Sequence, residues 1–137
     1  MIQSFFVQEA KTILPDLEWT QDFYTGEDNT GTTYSENGEP PDTYDAKFRF
    51  PEYMILIRSS DWSYAEYAAQ KVFGHFHTKH SFLVTVEQVI KDLVITKRYQ
   101  VFFIEGLGEP LRLGAKNNIM EYSVNFKVTL REVKDNG

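Results

Sequence analysis

The chain has 137 residues, 14 Lys+Arg against 20 Asp+Glu, three His and no Cys, for a formal charge of −6 at neutral pH. That length predicts one domain, residues 1–137, with a core that needs no covalent or metal staple, and the lack of Cys excludes disulfides, thiolate zinc sites, iron–sulfur clusters and a cysteine nucleophile. No apolar run exceeds Tyr53–Ile57, far short of the roughly 20 residues a membrane helix needs, and no basic-then-apolar leader opens the chain, so a soluble protein made inside the cell is expected.

Ile2, Phe5, Phe6, Ala10, Ile13 and Leu14 fall at helical spacing, and Pro15 ends the pattern, predicting a helix over 2–14. Leu17, Trp19, Gln21 and Phe23 then alternate with polar neighbours as a half-buried strand. From 26 to 45 the chain is polar, acidic and rich in turn residues (Asp28-Asn29-Thr30-Gly31, Asn37-Gly38, Pro40-Pro41). An extended acidic loop or a mobile hairpin is expected there, with Asn37-Gly38 as its tight turn. A brief alternation over Ala46–Phe50 leads through Pro51 to the fully covered strand Tyr53–Ile57, which closes at Arg58-Ser59-Ser60.

Ser63-x-x-Glu66 fits a capping box, with Asp61 also available to cap. Beyond it Ala65, Ala68, Ala69, Val72, Phe73 and Phe76 share one face, predicting a helix over Ser63–Thr78. The remainder reads as strand: Phe82–Ile90, a turn at Lys91-Asp92, then Leu93 through Tyr99, Val101 and Phe103 to Glu105. Gly106–Gly114 and Asn117-Asn118 read as a connecting loop. From Met120 to Leu130 apolar and polar residues alternate without a break, so one face lies on a core and the other is polar. The expected fold is α+β: a single curved, largely antiparallel sheet with two helices packed on one face and a long acidic loop.

The net charge divides along the chain. Asp16 to Asp45 holds nine acids and no base, whereas Ala46 to the end holds thirteen bases against ten acids. The acidic stretch reads either as a solvated loop or as an electrostatic surface facing a particular partner, and it disfavours tight binding to phosphates.

Catalytic patterns are sparse. His75-x-His77-x-x-His80 holds every histidine, but positions two apart on a helix point about 200° apart, and no acid lies within the cluster to complete a metal shell. The imidazoles and Lys79 read instead as a helix C-terminus answering its dipole. No Ser sits in a nucleophile-elbow context, Glu27-Asp28-Asn29-Thr30-Gly31 lacks the spacing of a calcium loop, and Gly106-x-Gly108 lacks the third glycine of a phosphate cradle. No catalytic, cofactor or metal residue is therefore assigned. The 21 aromatic rings divide between core and surface, and surface rings are common interface anchors.

Four segments taken together resemble a family. They are Ile57-Arg58-Ser59-Ser60-Asp61, Tyr64-Ala65-x-x-Ala68-Ala69-x-x-Val72, Gly106-x-Gly108-Glu109-Pro110-Leu111-x-Leu113-Gly114, and Glu121-Tyr122-Ser123-Val124-Asn125-Phe126-x-Val128. Across residues 50–132 the pattern is similar to the tail terminator (tail-completion, minor capsid) proteins of long-tailed bacteriophages, most specifically over Tyr122–Val128. The resemblance implies a non-enzymatic structural protein of the virion, made in the bacterial host cytoplasm. It implies a homo-oligomeric ring, typically a hexamer built from monomers, which ends tail-tube growth and joins tail to head. Partners would be the tail tube protein and a head-completion or connector protein, with DNA passing through the ring without specific binding. Glu27, Asp28, Glu36, Glu39, Asp42, Asp45, Arg58 and Arg112 are the expected interface residues, part of the acidic segment facing the lumen or a neighbouring subunit. Two other classes stay open: a protein-interaction module outside any virion, and a small enzyme with an aromatic pocket in the concave sheet.

Overall fold

The unbroken alternation of the last strand organises the whole sheet. A computed structural model describes residues 1–133; the last four residues of the expected domain, 134–137, lie outside the described residues. The elements are α1 (Gln3–Ile13), β1 (Glu18–Gln21), β2 (Thr30–Glu39), β3 (Phe48–Ser59), α2 (Trp62–Phe76), β4 (His80–Ile90), β5 (Leu93–Gly106), β6 (Leu111–Lys116) and β7 (Ile119–Val133). They form an α+β domain with one curled, mixed sheet in the order β1-β2-β3-β7-β5-β4. Along one edge β7 pairs antiparallel with β3; along the other it pairs first with β6 and then with β5, which lie end to end. No helix among the described residues is long and apolar enough to cross a membrane.

Met120, Tyr122, Val124, Phe126, Val128 and Leu130 of β7 are all buried against the helices, as the alternation predicts. Tyr53, Ile55 and Ile57 of β3 join them, and Ala65, Ala68 and Ala69, fully buried, let α2 lie close on this face. The rings fill the interior. Phe6 of α1 sits 4.8 Å from both Tyr53 and Phe76, ring centre to ring centre, and 6.0 Å from Phe126. Burial pushes the Tyr53 phenol up to about 12, and its hydroxyl accepts the Ile2 N–H at 3.0 Å, anchoring the start of α1.

Four expectations change. Half of the stretch 26–45 is not a loop: Thr30–Glu39 is β2, antiparallel to β3 from Arg58 to Phe50. Its buried face is polar, so apolar periodicity could not reveal it. Thr30, Thr32 and Thr33 are buried, with Thr32 Oγ1 3.0 Å from Thr20 Oγ1 and the Thr33 carbonyl accepting from Gln3 Nε2 at 2.9 Å. Asn37-Gly38 makes no hairpin turn. The register shifts between Glu36 and Glu39, and glycine is needed because a Cβ on Gly38 would come within 2.0 Å of the Phe50 carbonyl oxygen. The expected loop after Gly106 contains β6, and Asn117 and Asn118, with φ of 52° and 65°, form the two-residue turn into β7. Finally, Asp61 caps α2 by accepting the Tyr64 N–H at 3.1 Å, while Ser63 lies within the first turn.

β1 is shorter than its alternation suggests, because Asp22 takes a φ of 60° and turns the chain outward. It pairs parallel with β2 at the sheet edge. There the Trp19 ring lies flat against Gly31, where a Cβ would meet it at 2.4 Å. Gly31→Ala should therefore destabilise the fold by about 1–3 kcal/mol. Gly74→Ala, in open space within α2, should stabilise it by about 1 kcal/mol. Chemical denaturation of both variants checks the pair.

Candidate assembly surface

The two helices cover one face of the sheet, and the opposite face has no helix over it. Residues directly opposed on neighbouring strands point to the same side, so the alternation that buries Phe126 turns Lys127 outward. Glu36 faces Glu52, Glu52 faces Lys127, and Lys127 faces Glu105. These four side chains make a row across β2, β3, β7 and β5. Glu39 reaches the same lysine at 3.1 Å. That hydrogen bond, with the charges of Glu39, Glu105 and Glu52, holds the Lys127 ammonium above its ordinary range. Four glutamates around one lysine form an anionic band.

Beyond the band lies an aromatic end. Phe48 stacks on Phe102 at 5.3 Å and meets Phe50 at 5.6 Å, with Phe102 41% exposed. Beside them Arg131 Nε donates to Asp45 at 2.9 Å. At the other end the segment between β1 and β2 folds back over the sheet and closes on Arg58. Its guanidinium is buried. It donates from Nε to Glu121 at 2.8 Å, donates to the Glu27 carbonyl, and lies 4.9 Å from the centre of the Tyr24 ring. Asp28 completes the closure by accepting from the Ser60 hydroxyl and, at 2.7 Å, from the Ser60 N–H. The Ser60 hydroxyl bond is the chief reason the Asp28 carboxyl titrates below its usual range.

The eight expected interface residues thus separate. Arg58 is turned inward, Asp28, itself exposed, fastens the chain's own segment to Ser60, and Glu27 contributes its carbonyl to that closure. Asp42 caps a turn, accepting the N–H groups of Tyr44 and Asp45 at 3.0 Å each. Glu39 and Asp45 pair with Lys127 and Arg131, so bases from the positive half of the sequence are drawn onto the acidic segment. Glu36 remains outward in the band. Arg112 lies on the helix side, 5.9 Å from the Trp62 ring in a shallow notch with Ser63 and Glu66. Lys127, Glu52 and Glu105 were legible only as polar positions; strand register brings them together.

The three histidines take separate partners. His75 Nε2 lies 3.3 Å from Glu9, His77 Nδ1 accepts the Gly106 N–H at 2.9 Å, and His80 Nδ1 donates to the Thr78 carbonyl at 3.0 Å. Among the described residues no group of three or more His, Asp or Glu is placed to hold a metal ion.

Removing Arg58 would leave the half-buried Glu121 with the Tyr24 hydroxyl as its remaining side-chain donor, so Arg58→Ala should cost about 1–3 kcal/mol. It should also open Phe23–Asn29 to protease and hydrogen exchange. Arg58→Lys should recover little, since an ammonium cannot serve Glu121 and the Glu27 carbonyl with one planar fork. Asp28 titrates lower in the folded than in the unfolded chain, so its contribution is present above its unfolded value of 3.8 and lost as pH falls through the folded one. Melting temperature against pH should accordingly fall less steeply below about pH 4 for Asp28→Asn than for the wild type. A scan against protein-family models finds no match to the chain, and a search of curated proteins finds none of significant similarity, so this surface is read from its own chemistry.

Proposed function

We propose that the protein is a structural, ring-forming subunit of the tail-terminator type. It would cap the head-proximal end of a phage tail tube, end tube polymerisation and join tail to head. The observation that carries this reading is the uncovered sheet face with its anionic band. Like charges directly opposed across strands, as Glu36 and Glu52 are, weaken a sheet. A fold that keeps them has a use for the field they create. In a ring, typically a hexamer, such a face turned to the lumen would repel phosphates and let DNA slide through unheld. The aromatic end at Phe48 and Phe102 offers apolar area for a protein neighbour: a second subunit, the tube protein or a connector. The same rings would also suit an interaction module outside any virion, and the experiments below separate the two.

Mass measurement in solution across concentration should give a closed oligomer, alone or on tube protein. Tails assembled without the protein should have uncontrolled length by electron microscopy; tails of normal length would end the proposal. Charge reversal tests the lumen assignment. Glu36→Lys should stabilise the monomer by about 0.2–1 kcal/mol, by pairing with Glu52. Rings carrying Glu36→Lys and Glu105→Lys should retain DNA at low salt where wild-type rings release it. Equal release would place the band away from the channel.

A further inference from the structure

The sheet ends in two edges of different make. β1 is four residues long and stops before Asp22, whose φ of 60° turns the chain away. β4 is the opposite edge, and among the described residues no strand but β5 pairs with it. Between Ser81 and Lys91, with φ of 58° and 57°, the stretch Phe82–Ile90 runs without a register shift. It holds no Pro, Lys or Arg, and Glu87 is its one charge. Strand edges are usually protected by short length, Pro, Lys or a bulge, and this one has none of them.

The same edge is apolar and thinly supported. Leu83, Val89 and Ile90 are 51%, 70% and 45% exposed. β5 pairs with β7 from Arg98 to Gly106, so among the described residues Leu93–Lys97 lies against β4 alone. A hairpin of two strands is marginally stable in water and gains from a third. The start of α1 does not close over it: a cleft of about 530 Å³ lies between Val86, Glu87 and Gln88 on one side and Met1, Ser4 and Gln21 on the other. The ladder also fixes which backbone groups are open. The two-residue turn at Lys91-Asp92 closes on the pair Ile90–Leu93, whose N–H and C=O groups face each other. Alternation then turns those of Leu83, Thr85, Glu87 and Val89 to the free edge.

We propose that this edge pairs antiparallel with β4 of a second copy of the chain, in a two-fold register centred on Val86. The left-handed residues at both ends select that register, because it alone matches the whole of Phe82–Ile90 to itself. Thr85 then exchanges hydrogen bonds with Glu87 of the second copy, and Leu83 with Val89. The side chains agree with the backbone: Leu83 meets Val89, Phe82 meets Ile90, and no like charges are opposed. Moving the centre to Glu87 would set two carboxylates face to face. The contact is isologous and closed. It does not rest on the ring reading, since it concerns the free chain whether or not rings form on a tube.

Because the chain has no Cys, one introduced thiol reports the register. Val86 would stand opposite itself in a non-hydrogen-bonded pair, with Cα atoms about 4.5 Å apart, within disulfide reach. On mild oxidation Val86→Cys should give a disulfide-linked dimer, and Thr85→Cys, displaced along the strand from its own copy, should not. Mass measurement across concentration should give a dimer for the wild type. Val89→Lys changes an exposed side chain and should weaken that dimer about tenfold, through two lost cross-strand pairs. Thr85→Pro removes an N–H that the β4–β5 ladder does not use, and should abolish it. A wild type that stays monomeric at every concentration, linkage as fast through Thr85→Cys as through Val86→Cys, or dimers unaffected by Val89→Lys would each overturn the proposal. An edge that takes only a foreign peptide would give the first of these. The disulfide reads this contact whatever larger assemblies also form, and Val89→Lys decides the matter if Thr85→Pro fails to fold.

Discussion

Arg58 is the contact on which the outer half of the structure depends. A guanidinium taken out of water is costly unless it is met by partners, and here two parts of the chain meet it: Glu121 of β7, and the Glu27 carbonyl and Tyr24 ring of the segment between β1 and β2. The segment between β1 and β2 is therefore pinned to the middle of the sheet, with Asp28 and Asn29 fastened to Ser60 and Ser59. With that segment in place, β2 can enter beside β3 and β1 can pair parallel to it after a connection much shorter than parallel strands usually have. The buried threonines of β2 are satisfied by Thr20, Gln3 and the Glu27 carbonyl.

The charge division of the sequence acquires a spatial meaning from the same arrangement. The acidic segment is laid against the outer face, where bases of the positive half project. Lys127 and Arg131 take up Glu39 and Asp45, and Arg58 takes the carbonyl of Glu27 and the carboxylate of Glu121. Much of the apparent −9 is thereby engaged within the molecule. What remains outward is sharper than a general acidity: a row of glutamates fixed by strand register, with a single lysine among them. The helix side carries bases at a cleft lined by Lys47, Arg49 and Lys97 against Glu132, so the two faces of one sheet differ in charge as well as in covering.

Elements with a buried apolar stripe were legible in the sequence. α2 and β7 each have a period that matches their geometry, and Tyr53–Ile57 of β3 is a continuous apolar run of which Tyr53, Ile55, Leu56 and Ile57 are buried. β2 was not legible, because its buried positions are threonines satisfied by Thr20 and Gln3 rather than apolar side chains. β6 was hidden too: Leu111 and Leu113 are exposed, and Gly114 (φ 107°) adds a register shift that breaks the alternation. Of the candidate surface, the acids were visible as a stretch of charge. Their division into closure residues and outward residues was not, since that division depends on which base lies across the next strand.

The sequence by itself determined the α+β class, the single core, the helix faces and the polar outer side of the last strand. These follow from local periodicity, which each residue carries with it. Only the tertiary structure decided that Arg58 would be buried and that Glu36, Glu52, Lys127 and Glu105 would stand in one row. Each of these joins residues far apart in the chain. Strand order and register set such distances, and neither is written in the spacing of any one segment.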